Sequence, residues 1–316
     1  MPLQRTTQLI VTGVATAGTA AALGALGARE RKRAESGSLR MGKRLRTFRV
    51  HLPEGYDGSA ELPLLLVFHD ALENGATAEA YTGLNTLADR DRFIAVYPDA
   101  AARRWSLTRG KRQLPPVGVD DVAFTDRLLT HLMARYAIDR QRVFATGMGI
   151  GGVLCYALLG GLPRRVQAIA PVAATLPVDV EAQLRLQPPK PVLAINGDQD
   201  TILSWDGDGS GARLAGVPLS PVPQTIEFLR LWNGCAGPPE VSYVPLAEDF
   251  NATRARHEVF HRPDGSAPVE LYTIDAGGHT WPGAERGVPE KLVGRTNHDM
   301  NASEVIVDFF RRQGDW

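Results

Sequence analysis

The sequence predicts one α/β domain on a doubly wound, mostly parallel sheet, and three observations carry that expectation. Runs such as LPLLLVFH (62–69) and KPVLAING (190–197) are apolar without alternation, as strands covered on both faces require. Elsewhere apolar residues recur at helical spacing, most clearly Val122, Leu128, Leu129, Leu132, Met133 and Tyr136. Strand and helix signals then alternate from about residue 45 to the C-terminus, without a repeat, which favours one large sheet over two domains.

Taken in order, RTFRVHLP (46–53) reads as an edge strand ending at a proline turn, followed by the buried runs 62–69 and FIAVYP (93–98). The stripe above marks a helix over about 120–136. RVFATG (142–147) is a short strand that enters a glycine cluster, with a helix over 151–160 behind it. VQAIAPVA (166–173) and 190–197 are further strands. Ile226, Phe228, Leu229 and Trp232 mark a helix after Pro223, VELYTID (269–275) is the last strand, and SEVIVDFF (303–310) the closing helix.

The bulk composition, 44% hydrophobic and 22% charged, is that of an ordinary soluble globular protein. Net charge is zero, but Arg29, Arg31, Lys32, Arg33, Arg40, Lys43, Arg44, Arg46 and Arg49 stand close together against Glu30 and Glu35. Residues 29–44 are therefore expected to be a basic linker ahead of an acidic body at 45–316. That neck reads as a solvated linker, or as a contact to anionic lipid through residues 6–49. Nucleic acid is not an expected partner. Residues 6–28 carry no charge, so 1–28 is expected to be a signal peptide, with Ala20-Ala21-Ala22 as its cleavage site, or a membrane anchor. Two cysteines, Cys155 and Cys235, form neither a disulfide framework nor a metal-ligand spacing, and no cofactor or metal is expected.

The glycine cluster is Gly147-Met148-Gly149-Ile150-Gly151-Gly152, between a strand and a helix. This is the frame of the nucleophile elbow G-x-S-x-G, in which flanking glycines permit a turn too tight for side chains. The apex position is Gly149. Downstream, the strand 190–196 runs into Asn196-Gly197-Asp198-Gln199-Asp200, and 269–275 runs into Gly277-Gly278-His279-Thr280-Trp281. Apex, acid and histidine at 149, 200 and 279 follow the order of the α/β-hydrolase triad, so the fold is expected to be that of the α/β-hydrolases.

The stretches RTFRVHLPEGYDG, LNTLADRDRFIAVYPD, VDDVAFTDRLLTHLMARY, RVFATGMGIGG, FLRLWNGCA, LYTIDAGGHTWPG and NASEVIVDFF resemble the secreted polyhydroxybutyrate depolymerase and feruloyl esterase type of carboxylesterase, over about residues 44–313. The resemblance implies a serine at position 149 and a polar residue at 150, where this chain has Gly149 and Ile150. It also implies that Asp200 is the acid and His279 the base. Oxyanion donors are implied at Ile150 and in the loop at Asp70 and Ala71, where the family has glycines. Here that loop reads His69-Asp70-Ala71-Leu72-Glu73, which places carboxylates where negative charge must develop. Cys235 matches a family cysteine whose partner falls near Arg262, so that disulfide is implied to be absent.

Trp105, Trp205 and Trp281 are candidates to line an acyl or aryl cleft, or else core residues. The function expected is that of a carboxylic-ester hydrolase by descent, secreted or otherwise extracytoplasmic, that is catalytically impaired. The alternatives are an active esterase with a displaced nucleophile, for which Ser204, Thr146 and Thr280 are candidates, and a membrane-tethered binding protein, including one anchored facing the cytoplasm. The ligand expected is a small or polymeric ester or aryl compound.

Overall fold

A computed structural model describes residues 34–106, 119–207, 216–247, 252–266, 268–314 and 316. The expected signal or anchor at 1–28 lies outside the described residues, as does 29–33 of the expected linker. The strands are β1 (Ala34–Met41), β2 (Arg44–His51), β3 (Leu62–Phe68), β4 (Ile94–Pro98), β5 (Ile138–Met148), β6 (Ala168–Val172), β7 (Val192–Gly197), β8 (Glu240–Tyr243), β9 (Arg254–Phe260) and β10 (Val269–Asp275). They form one ten-stranded sheet in the order β1-β2-β4-β3-β5-β6-β7-β10-β9-β8. From β4 to β10 every neighbouring pair is parallel. Antiparallel pairs extend the sheet at both ends.

The helices are α1 (Gly75–Thr82), α2 (Leu84–Asp91), α3 (Asp121–Met133), α4 (Ile150–Gly161), α5 (Val178–Leu184), α6 (Val222–Trp232), α7 (Glu290–Val293) and α8 (Ala302–Gly314). The continuous apolar runs explain how they are distributed. Within β3, Leu64, Leu66 and Phe68 face a core shared with α3, α4, α5 and α6, while Leu65 and Val67 face a second core shared with α1, α2 and α8. A strand covered on both faces has no polar side to show, which is why these runs do not alternate.

The N-terminal end corrects one expectation. Residues 34–41 are not linker but edge strand β1, paired with β2 along its whole length from Ala34↔His51 to Met41↔Arg44. Arg46 is likewise no part of a solvated basic neck. Its guanidinium is 4% exposed, bonds Asp121 at 2.6 Å and lies 3.9 Å over the Phe124 ring. Arg49 pairs with Glu79. A contact to a membrane through the whole of 6–49 is therefore excluded at Arg46, whose charge is spent inside the body.

Candidate active site

The C-terminal ends of the parallel strands hold the site. β5 ends at Met148 and α4 begins at Ile150, so Gly149 alone makes the turn, with φ 54° and ψ −123°. Its amide donates to Val172 O at 3.0 Å and its carbonyl accepts from Val153 N at 2.9 Å, which fixes the turn from both sides. Gly151 is glycine because the loop after β3 passes close by: a Cβ there would lie 2.5 Å from His69 O.

His279 sits in the loop after β10, its amide bonded to Val293 O at 2.5 Å. Its Nδ1 is 2.7 Å from Asp200 Oδ2, and both side chains are 1% exposed. The other oxygen of Asp200 accepts from Ile202 N at 2.8 Å and Leu203 N at 2.9 Å. Asp200 thus orients the imidazole, as an acid in this position does.

Asp70 holds the centre of the site. Its Oδ1 accepts from Ile150 N at 3.1 Å and Ala71 N at 2.7 Å. Its Oδ2 lies 3.0 Å from His279 Nε2 and 3.7 Å from Arg286 Nη2. The two backbone N–H groups that converge at the elbow therefore meet on a carboxylate of the chain itself. Glu73, expected beside it, turns to Arg286 at 2.5 Å.

Both ring nitrogens of His279 face carboxylate oxygens, so both act as donors and the ring is an imidazolium. Burial opposes that charge, but Asp200 and Asp70 outweigh it and hold the pKa up to about 10. Burial likewise raises the Asp70 carboxyl, yet His279, Arg286 and the Ala71 N–H outweigh it and leave the acid below its usual range. Both groups are ionised at neutral pH.

The loop that carries Asp70 is anchored beneath. The amide of Ala100 donates to His69 Nε2 at 3.0 Å, so Nε2 is an acceptor and Nδ1–H donates to Asp70 O at 2.6 Å. Burial holds the pKa of this imidazole down, so it remains neutral. Trp105 Nε1–H donates to His69 O at 2.8 Å, and Leu72 N to Arg103 O at 2.9 Å.

Two of the three cleft candidates are corrected by their burial. Trp105 and Trp281 are each 1% exposed. Trp281 donates to Ser303 Oγ at 3.1 Å. Neither ring has a face free for a ligand. Trp205 is partly buried against the larger core. The hydroxyl candidates bond other partners: Thr146 donates to Ala170 O at 2.6 Å within the sheet, and Thr280 to Arg295 O at 3.4 Å. Ser204 Oγ accepts from Asp206 N at 3.2 Å. Cys155 and Cys235 are buried free thiols. Arg286 carried no motif in the sequence. Its guanidinium is 9% exposed, stacks over Tyr81 at 5.2 Å and balances the two acids of the loop.

An apex turn between a parallel strand and a buried helix, with an acid and a histidine at the ends of later strands, defines an α/β-hydrolase-fold protein. The acetyl xylan esterase of Aspergillus awamori shares that fold at TM-score 0.53 and 14% identity, over 78% of this chain and 94% of its own. NocK of Nocardia uniformis subsp. tsuyamanensis, which bears an esterase name, is 29% identical over 84% of this chain and 79% of its own. Feruloyl esterase B of Piromyces equi is 25% identical over 73% of this chain, and poly(3-hydroxyalkanoate) depolymerase C of Paucimonas lemoignei 23% over 73%. The chain spans 42% and 58% of those two proteins. No family model matches it. The chain is similar to esterases of the feruloyl esterase and polyhydroxyalkanoate depolymerase type.

Proposed function

We propose that this chain is an ester hydrolase by descent from which serine-type ester hydrolysis has been lost. The observation that carries the reading is the double engagement of Asp70, with one oxygen on the N–H groups of Ile150 and Ala71 and the other on His279. A substrate carbonyl would need those same N–H groups as its negative charge develops. An incoming hydroxyl would need a lone pair on Nε2, which in the imidazolium bears a proton. Gly149 offers no hydroxyl, and loss of a triad nucleophile alone costs about six orders of magnitude in kcat. The ester chemistry in the names of the relatives supports an ester or aryl ligand, and residues 1–28 direct the body out of the cytoplasm.

The test is the purified full chain assayed on an aryl butyrate and on methyl ferulate, beside a fluorophosphonate probe. Background rates and no labelled residue are expected. Stoichiometric labelling of any hydroxyl would overturn the reading. For the location, residues 1–50 fused to a reporter active only outside the cytoplasm should give signal, and a silent reporter would count against export.

A further inference from the structure

The register of the sheet sets the β1–β2 turn beside the site. β2 runs antiparallel to β4 with Phe48 opposite Pro98, so Leu45 and the turn at Gly42-Lys43 lie past the C-terminal end of β4. That is the edge that carries Asp70 and His279. A cleft of about 280 Å³ lies between residues 44–47 and 99–102. Just beyond it, the carbonyl of Arg103 accepts from Leu72 N at 2.9 Å and the Arg103 guanidinium donates to Leu72 O at 3.4 Å. One surface thus joins the hairpin to the loop that holds Asp70.

Leu45 is 59% exposed on this surface and Leu72 69%. Leu72, Ala102 and Arg103 have φ of 66°, 53° and 57°, a left-handed backbone that disfavours side chains. Packing does not offset that strain at Leu72, whose side chain stands in water. Arg40, Lys43, Arg44 and Arg103 are exposed around the two leucines. The carboxylates of the two loops are turned inward, Asp70 to His279, Glu73 to Arg286, and Asp99 to Thr47 and the amide of Gly75. Among the described residues, no carboxylate pairs with Arg40, Lys43 or Arg103.

We propose that this surface docks on an anionic lipid bilayer, with Leu45 and Leu72 entering the headgroup layer and the four cations on lipid phosphates. The site then opens toward the membrane. Exposed leucines ringed by Lys and Arg are what an interfacial contact needs, apolar area to bury and positive charge to hold it at an anionic leaflet. A nucleic-acid strand would instead be held by aromatic faces on which bases stack, and both apolar residues of this surface are leucine. Arg46 takes no part, its charge being matched by Asp121. The surface belongs to the folded body, apart from the uncharged run at 6–28, and it does not depend on what Gly149 has lost.

The experiment uses the full chain carrying an environment-sensitive dye on a cysteine placed by Leu45→Cys, Leu72→Cys or Leu231→Cys. The native thiols Cys155 and Cys235 are buried. Leu231 is the control: it is 64% exposed at the end of α6, close before Cys235, whose Sγ bonds Phe260 O opposite Val269 at the other edge of the sheet. On vesicles of phosphatidylglycerol with phosphatidylcholine, the dyes at 45 and 72 should shift to the blue and become shielded from an aqueous quencher. The dye at 231 should do neither. Added salt, or phosphatidylcholine alone, should reduce the shift strongly. Arg40→Glu with Lys43→Glu should weaken the shift-reported affinity at least tenfold, from roughly fivefold per basic residue lost. Vesicle attachment that leaves the dyes at 45 and 72 in water would mean that residues 1–28 alone make the contact, and would overturn the proposal. Equal shifts at all three positions, equal shifts on phosphatidylcholine alone, or no attachment would overturn it too.

Discussion

A Cβ added at Gly149 would lie 2.5 Å from Cγ of Asp70 and closer still to its Oδ1, so the carboxylate fills the volume that a side chain at the elbow apex would need. The two positions are coupled sterically: a serine at 149 and Asp70 in its present rotamer exclude each other.

That exclusion sets the order in which serine chemistry can be rebuilt. Gly149→Ser alone forces Asp70 out of the cradle and is expected to cost about 1–3 kcal/mol of stability, as overpacking does. It should give slow turnover, because the displaced carboxylate still lies near the developing oxyanion. Asp70→Gly with Gly149→Ser clears the space and frees His279, and aryl-ester hydrolysis should rise at least tenfold over the single variant, about 1.4 kcal/mol of barrier. Urea unfolding and initial rates on the four proteins of the cycle measure both effects. Additive stabilities, or a single variant as active as the double, would mean that Asp70 does not hold this space in solution.

Stability should depend on pH through the same contact. The pKa of His279 is raised when folded, so its contribution is fully present below the unfolded value of 6.5 and is lost as pH rises through about 10. Asp70→Asn removes one of the two carboxylates responsible. The stability gap between parent and Asp70→Asn is therefore expected to shrink as pH is raised from about 6 to about 10. Denaturation curves across that range check it, and a gap that widened with pH would carry the wrong sign.

Arg46 gives a prediction about the body itself. Its partner Asp121 is fully buried, so Arg46→Ala would leave a carboxyl in the core without its cation. Breaking a buried pair from one side costs about 3–5 kcal/mol. The same change at the exposed Arg40 should fall within about 0.5 kcal/mol of the parent. Equal effects at the two positions would return Arg46 to the basic neck.

Much of the sheet was legible because central strands such as Leu62–Phe68 are covered on both faces and so are apolar at every position. Val269–Asp275 was bounded correctly although it carries Glu270 and Thr273. The flanking strands carried no such mark. The four residues of β8, Glu240 to Tyr243, are all exposed, and β9 mixes charged and apolar residues, so their pairing depends on edges that sequence alone does not display. The glycine frame and the 79-residue separation of Asp200 from His279 were legible as motifs. The direction of the Asp70 side chain was not. It depends on an empty volume at Gly149 and on the approach of two loops from different strands, which becomes visible once both are folded.

The protonation of His279 tests most directly whether Asp70 occupies the site. The measurement is the ¹⁵N NMR spectrum of the ring in the full chain, recorded through a pH titration in parent and Asp70→Asn. With carboxylates on both nitrogens, the parent ring should show two protonated nitrogens at neutral pH and titrate near the value of about 10. In Asp70→Asn the transition should move down by about 1–3 pH units, the effect of one adjacent opposite charge. A parent ring that is neutral at pH 7.5, with its proton on Nδ1 toward Asp200 and a free lone pair on Nε2, would contradict this account.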